Sequence, residues 1–237
     1  MTGLLLLLMK KMKITLKYCI SLLLLFFLVL GNASGQEGRI KGLRVGYDVS
    51  RVLLPYIDTT RTAFEFSADF EVRPYYYLVA EYGRQKVNFT NQWYEYASEG
   101  YFYRVGFDYN FLGKKLPVNH YEMVFMGFRY GHASYSHWLD SIYVGDNYWG
   151  DVFIENYGPV DLHANWFEIT GGIRGELFKN CFIGWNFRAR VMINQKKDDT
   201  IYPYYIPGFG LGDRKTTIGF NYYILFRIPL YKVKARK

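Results

Sequence analysis

Residues 101–111 read YFYRVGFDYNF. Tyr101, Tyr103, Val105, Phe107, Tyr109 and Phe111 are large and apolar, and past Phe102 they alternate with Arg104, Gly106, Asp108 and Asn110. A side-chain period of two belongs to an extended strand with two unlike faces. Two environments suit such a strand. In a soluble protein the apolar side lines a core, whereas in an outer-membrane barrel it meets lipid and the charged side lines the lumen.

The pattern recurs seven more times. Leu43, Val45, Tyr47 and Val49 alternate with Arg44, Gly46, Asp48 and Ser50. The sharpest case sets Thr62, Phe64, Phe66, Ala68, Phe70 and Val72 against Glu65, Ser67, Asp69, Glu71 and Arg73. Further segments run over 75–83 (apolar Tyr76, Leu78, Ala80, Tyr82), 124–131, 167–177, 183–194 and 215–227. No stretch after residue 36 carries a helical period, so residues 36–237 are expected to form one domain of eight strands.

The segment before it supplies a compartment. Lys10, Lys11, Lys13 and Lys17 precede the apolar run ISLLLLFFLVL, and Ala33 and Gly35 offer small residues before Gln36. Residues 1–35 are therefore expected to be a secretory signal peptide, cleaved on export. The apolar run is too short to span a bilayer. Removing these four lysines lowers the formal charge from +8 to +4, which gives no reason to expect nucleic acid as a partner. Cys181 alone cannot make an internal disulfide.

Mean hydropathy of −0.11 excludes a bundle of membrane helices but not barrel strands, whose alternation averages out. Aromatic residues, at 20%, nearly equal the charged ones at 21%, and Trp and Tyr gather near segment ends: Tyr75–Tyr77, Trp93–Tyr96, Trp138, Trp166 and YPYY at Tyr202. Interfacial girdles sit at such places. The spacing predicts a turn near Pro55–Thr60, a tight turn at Arg73–Pro74, a short link GKKLPVNH and a tight turn at Phe178–Asn180. It predicts longer loops over 84–98, 136–165 and 195–213. Those long loops fall at one end, as in outer-membrane barrels with both termini in the periplasm.

The expected fold is an all-β, eight-stranded antiparallel up-and-down transmembrane β-barrel. An eight-stranded barrel is only wide enough for side chains, so its lumen is expected to be plugged. The inward set comprises Arg44, Asp48, Glu65, Asp69, Glu71, Glu81, Arg104, Asp108, Arg129, Glu168, Arg174, Glu176, Arg188, Arg190 and Arg227. Interleaved Arg and carboxylate can pair across strands there. The competing reading is a soluble exported lipocalin-like binding protein whose polar face is its solvated exterior. Against it, that face uses Arg, Glu, Asp, Gly and Asn instead of the Lys that guards soluble surfaces.

Catalytic signatures are sparse. No Walker loop, dinucleotide fingerprint, HExxH or paired-Cys motif occurs. His132 and Ser134, in YGHASYSHW, share one face near a strand end and are similar to the His-x-Ser pair of lipid A deacylase barrels, an alternative in which the protein modifies lipid. No acid is placed by spacing, although Asp140 and Asp146 are nearby; a His and a Ser there are more simply interface residues. Asp140, Asp146, Asp151, Glu155 and Asp161 fall among aromatics in the loop that follows, where they suit a docking surface or a divalent ion. Their spacing fits no EF-hand, so solvated loop acid is the default, and no cofactor or metal site is expected.

PYYIPGFGLG and IGFNYYILFRIPLY, with MGFRYGHASY and WFEITGGIRGELFKNCFIGWNFRARV, resemble a family of Bacteroidota outer-membrane β-barrel proteins known as a domain of unknown function. The resemblance implies location and architecture and brings no catalytic residues. It also makes three triplets, Asp58-Thr59-Thr60, Asp140-Ser141-Ile142 and Asp199-Thr200-Ile201, similar to the O-glycosylation acceptor pattern of that phylum, with Thr59, Ser141 and Thr200 as acceptors. The expectation is thus a monomeric, non-enzymatic outer-membrane protein whose partners are outer-membrane lipid and a protein or glycan at the long loops.

Overall fold

A computed structural model describes residues 38–144, 153–196, 198 and 200–233. The expected leader lies outside the described residues. Eight long strands alternate up and down: β1 (Ile40–Asp48), β2 (Arg61–Arg73), β3 (Tyr76–Thr90), β4 (Glu95–Asn110), β5 (Met123–Val144), β6 (Phe153–Phe178), β7 (Cys181–Gln195) and β10 (Thr216–Lys232). Two-residue strands β8 (Tyr205–Ile206) and β9 (Gly210–Leu211) form a separate hairpin between β7 and β10. Each long strand pairs antiparallel with its sequence neighbours, and β1 pairs with β10 from Ile40–Lys232 to Asp48–Tyr223, so the sheet closes on itself.

The two faces separate as the alternation requires. Phe107 is 53% exposed on the outside, while Arg104 and Asp108 on the same strand are fully buried inside. Register then places opposite charges side by side on the inner face. Arg44 stands across from Asp69, Glu81 from Arg104, and Glu168 from Arg129 on one side and Arg190 on the other. The interior therefore takes the place of a core.

Three buried apolar clusters bracket these charges. Tyr77, Val79, Met123 and Phe125 form one, and Tyr121, Phe182, Tyr223 and Leu225 a second. The third, nearer the opposite end, joins Phe102, Tyr135, Leu162 and Trp166 to Ile206 and Phe209 of the β8–β9 hairpin. Trp166, expected in a girdle, is instead completely buried, because it shares its face with Glu168 two residues on. Its indole lies over Gly131 on β5, where any Cβ would collide with it.

Other expectations need correction. A helix, α1 (Ser50–Ile57), occupies part of the β1–β2 connection. At eight residues, with Pro55 inside it, the helix is too short to show a period. The Asp48 carboxylate starts it by accepting from the Ser50 N–H at 3.0 Å and the Ser50 hydroxyl at 2.5 Å. The expected loop over 84–98 shrinks to Asn91–Tyr94, and most of the one over 136–165 becomes strand, since β5 runs to Val144 and β6 starts at Phe153. Among the described residues the β7–β10 connection is the longest loop, and it folds back inward.

β1 is short, which leaves a break in the wall. Beyond Asp48 the edges of β10 (216–221) and β2 (61–65) have no β1 residue between them. Packed on β2 and reaching β10, α1 fills that stretch and turns Val52, Leu53 and Tyr56 outward.

Candidate functional site: a sealed ionic lumen beneath an aromatic mouth

The inner network centres on two guanidiniums and three carboxylates. Arg104 donates through Nη1 to Glu65 at 2.8 Å and Glu81 at 2.6 Å, and its Nε lies 3.0 Å from Glu168. Arg188 grips Glu81 with both terminal nitrogens, at 2.8 and 2.9 Å, and reaches Glu168 at 3.0 Å and the Tyr223 hydroxyl at 2.9 Å. That hydroxyl in turn donates to Glu65. All five charged side chains are fully buried. Buried charge is tolerated only when paired and hydrogen-bonded, and bidentate Arg–carboxylate geometry is the strongest form of such pairing.

The network extends toward both ends. Arg129 lies 2.7 Å from Asp108, Arg174 donates to Asp69 at 2.5 Å, and Arg44 donates to the other Asp69 oxygen at 2.7 Å. Arg190 donates to Glu168 at 3.2 Å. Asp48 and Glu71 also belong: Asp48 pairs with Arg51 of α1 at 3.1 Å, and Glu71 with Arg39 at 2.8 Å. Arg51 also donates to Glu65 at 2.9 Å, so the helix is tied into the central layer.

Two expected members stand apart. Glu176 accepts from the Asn180 N–H at 2.7 Å and braces the β6–β7 turn, because it lies past the last β5 rung, Met123–Arg174, and beside the bulge at the end of β6. Arg227 is inside, but its hydrogen-bond partners are the Ile40 carbonyl and the Asn180 side chain, and its guanidinium stacks 3.5 Å from the Tyr121 ring centre. Conversely Arg39, Lys41 and Arg51 are buried or nearly so and were absent from the expected set. A bulge between Lys41 and Gly42 reverses the parity that Leu43 onward suggests, which is why both residues before it escaped the pattern.

A plug closes the opposite side of this layer. The β8–β9 hairpin dips into the lumen so that the Gly208 carbonyl accepts from Arg104 at 3.3 Å and the Phe209 carbonyl from Arg190 at 3.1 Å. Thr217 fixes the same Phe209 carbonyl at 2.6 Å. Gly208 has φ +76 and a Cβ there would collide with the Phe102 ring, so only glycine fits this apex. PYYIPGFGLG is thus an inward plug, not an outer loop.

Above the plug is a cavity of about 600 Å3 lined by Phe89, Tyr94, Tyr96, Leu139, the 201–204 segment, Leu211 and Asp213. The connection that carries the plug is pinned beside it. Asp198 lies 2.9 Å from His137 Nε2 and accepts from the Tyr157 hydroxyl at 2.8 Å.

On the outer wall His132 and Ser134 share a face as expected, but no hydrogen bond joins them among the described residues. His132 Nδ1 instead lies 2.7 Å from Asn165 Oδ1, which also accepts from Tyr130. A nucleophile needs a base within reach and a group orienting that base, and here the orienting position is held by an amide. Asp140 accepts from Trp138 and Asp161 from Ser136. Asp146, Asp151 and the Glu155 and Ser141 side chains lie outside what the structure describes. Among the described residues no group of three or more His, Cys, Asp or Glu is placed to hold a metal. Thr59 and Thr200 are exposed, while Asp199 lies outside the described residues. Thr60, through its hydroxyl and amide, and then Arg61 hold the Asp58 carboxyl below the usual carboxylate range.

No curated protein matches the chain. A family model described as Domain of unknown function (DUF6048) matches residues 15–233, all eight long strands included. With that match covering nearly its whole length, the chain belongs to the DUF6048 family.

Proposed function

We propose that this chain is an outer-membrane β-barrel, exported by a cleaved leader, that conducts nothing and acts as a monomeric, non-enzymatic surface protein through its outer mouth. One observation carries the reading: the ion-paired charges are buried on the inside, and the outer face is a wall of exposed aromatic and aliphatic side chains. The height of the apolar wall supports it. From Tyr101 to Phe111 the outward residues of β4 are all apolar, and Glu99 follows beyond. Ten residues at about 3.4 Å each, tilted by about 40°, rise roughly 26 Å, against about 25 Å for the lipid-facing band of such barrels.

The break beside β1 is consistent with the same solvent. Within lipid a bare strand edge is costly, and α1 covers this one while turning apolar side chains outward. The start of β1, the end of β10 and the tight turns at Arg73–Pro74 and Phe178–Asn180 lie on one side, which the reading assigns to the periplasm. The ionic layer and the plug bonded to it through Arg104 and Arg190 support a barrel that conducts nothing.

The test is fractionation of a Gram-negative host expressing the full chain. Recovery with outer membranes, and faster gel migration unheated than boiled, is the expected result. Release into a periplasmic extract sinks the proposal. Purified protein in planar bilayers should show no conductance steps.

A further inference from the structure

The mouth is built unlike the rest of the surface. Phe89 and Tyr204 stack with ring centres 5.5 Å apart and planes 20° from parallel, and Tyr96 meets Tyr204 edge-on at 6.0 Å. The Tyr96 hydroxyl accepts from the Tyr204 N–H at 3.2 Å, and the Tyr96 ring is itself backed edge-on by buried His137. These rings are therefore fixed before any ligand arrives, which lowers the ordering cost of binding. Tyr202 remains 63% exposed at the rim.

We propose that this cavity is a binding subsite for a short, neutral saccharide. Sugar rings pair an apolar C–H face with a rim of hydroxyls, and the cavity offers flat aromatic faces edged by tyrosine hydroxyls and one carboxylate, Asp213. Its volume of about 600 Å3 falls in the usual range for small-ligand sites and leaves room for more than one ring. Charge complementarity sets the class. Asp213 is the only charged residue among the described lining residues, so an acidic glycan meets repulsion there.

Position excludes an acyl chain. Phe89 lies seven residues beyond Tyr82, the last outward aromatic of β3, and Arg84 and Lys86 intervene on the outer face. At a rise of about 3.4 Å and a tilt of about 40° that is roughly 18 Å past the apolar band, beyond a headgroup zone of about 6 Å. The 201–204 and 211–213 segments that line the cavity flank the plug on either side, so an occupied site also clamps the hairpin in place.

This assignment rests on the proposed surface role, but its test does not. Full-length protein in detergent is applied to an array of neutral and acidic oligosaccharides, and the strongest neutral binder is then titrated calorimetrically. Tyr202→Ala and Tyr204→Ala should each weaken it at least tenfold and Tyr202→Phe less than threefold, with unheated gel mobility of every variant unchanged. The assignment is overturned if no neutral glycan binds, if only acidic glycans or alkyl chains bind, or if both alanine variants bind as tightly as the parent. A barrel that migrates as folded and binds no glycan loses the subsite and keeps the membrane reading; periplasmic fractionation does the reverse.

Discussion

Replacing Arg188 with Met asks whether the lumen is a dry electrostatic layer. The change removes four hydrogen bonds, two of them the bidentate grip on Glu81, and leaves that carboxylate sharing Arg104 and Arg129. A pair of unit charges about 4 Å apart is worth about 4 kcal/mol at an effective dielectric of about 20, and about 1 kcal/mol in water. Breaking one partner of a buried pair costs about 3–5 kcal/mol, since the survivor stays desolvated. Arg188→Met should therefore lower unfolding free energy by that amount, and so should Glu81→Gln. With both changes the net charge is restored, and the double variant should be more stable than the sum of the singles implies, by about 2 kcal/mol. Urea titration in lipid vesicles, with the folded fraction read from unheated gel mobility, measures all three. Strict additivity, or a cost under about 1 kcal/mol for Arg188→Met, would mean that water fills the lumen and would refute the reasoning.

Phe107→Arg, in the middle of the outer wall, should cost about 2–4 kcal/mol in vesicles if that face meets lipid, whereas Lys86→Gln beyond the band should be near neutral in the same titration. Gly131→Val drives a branched side chain into the Trp166 indole and should destabilise by about 1–3 kcal/mol, seen as a lower urea midpoint with unchanged slope. The Asp58 carboxyl is depressed in the folded chain, so its hold on Thr60 and Arg61 is complete above an unfolded value of about 3.9 and fades as pH falls below it. Protection of the Thr60 amide, taken as exchange relative to its intrinsic rate at each pH, should fall below about pH 4 in the parent and show no such fall in Asp58→Asn.

The barrel's faces were legible because a strand's side-chain period admits only one alternative register, and Glu65, Arg104 and Arg188 sit on uninterrupted alternation. Wherever local geometry departs from it, the reading failed. Arg39 and Lys41 lie before a bulge. Glu176 lies beyond the last β5–β6 rung, beside a bulge, and serves a turn. Trp166 had the parity of Glu168, which outranks its nearness to a strand end. The plug and α1 left no periodic trace, since two-residue strands and a two-turn helix are shorter than the window any pattern needs. Their positions depend on partners distant in sequence: Gly208 on Arg104, Arg51 on Glu65.

β1 gives the cylinder an uneven resistance to force. It joins β2 only from Leu43–Phe70 to Tyr47–Phe66, whereas β3 and β4 are zipped along the whole of Tyr76–Thr90. A load spread around the wall will tear at the β1–β2 joint before any other strand pair yields. Arg51, bonded from α1 to Glu65 across that joint, is then a stitch beside the weakest seam.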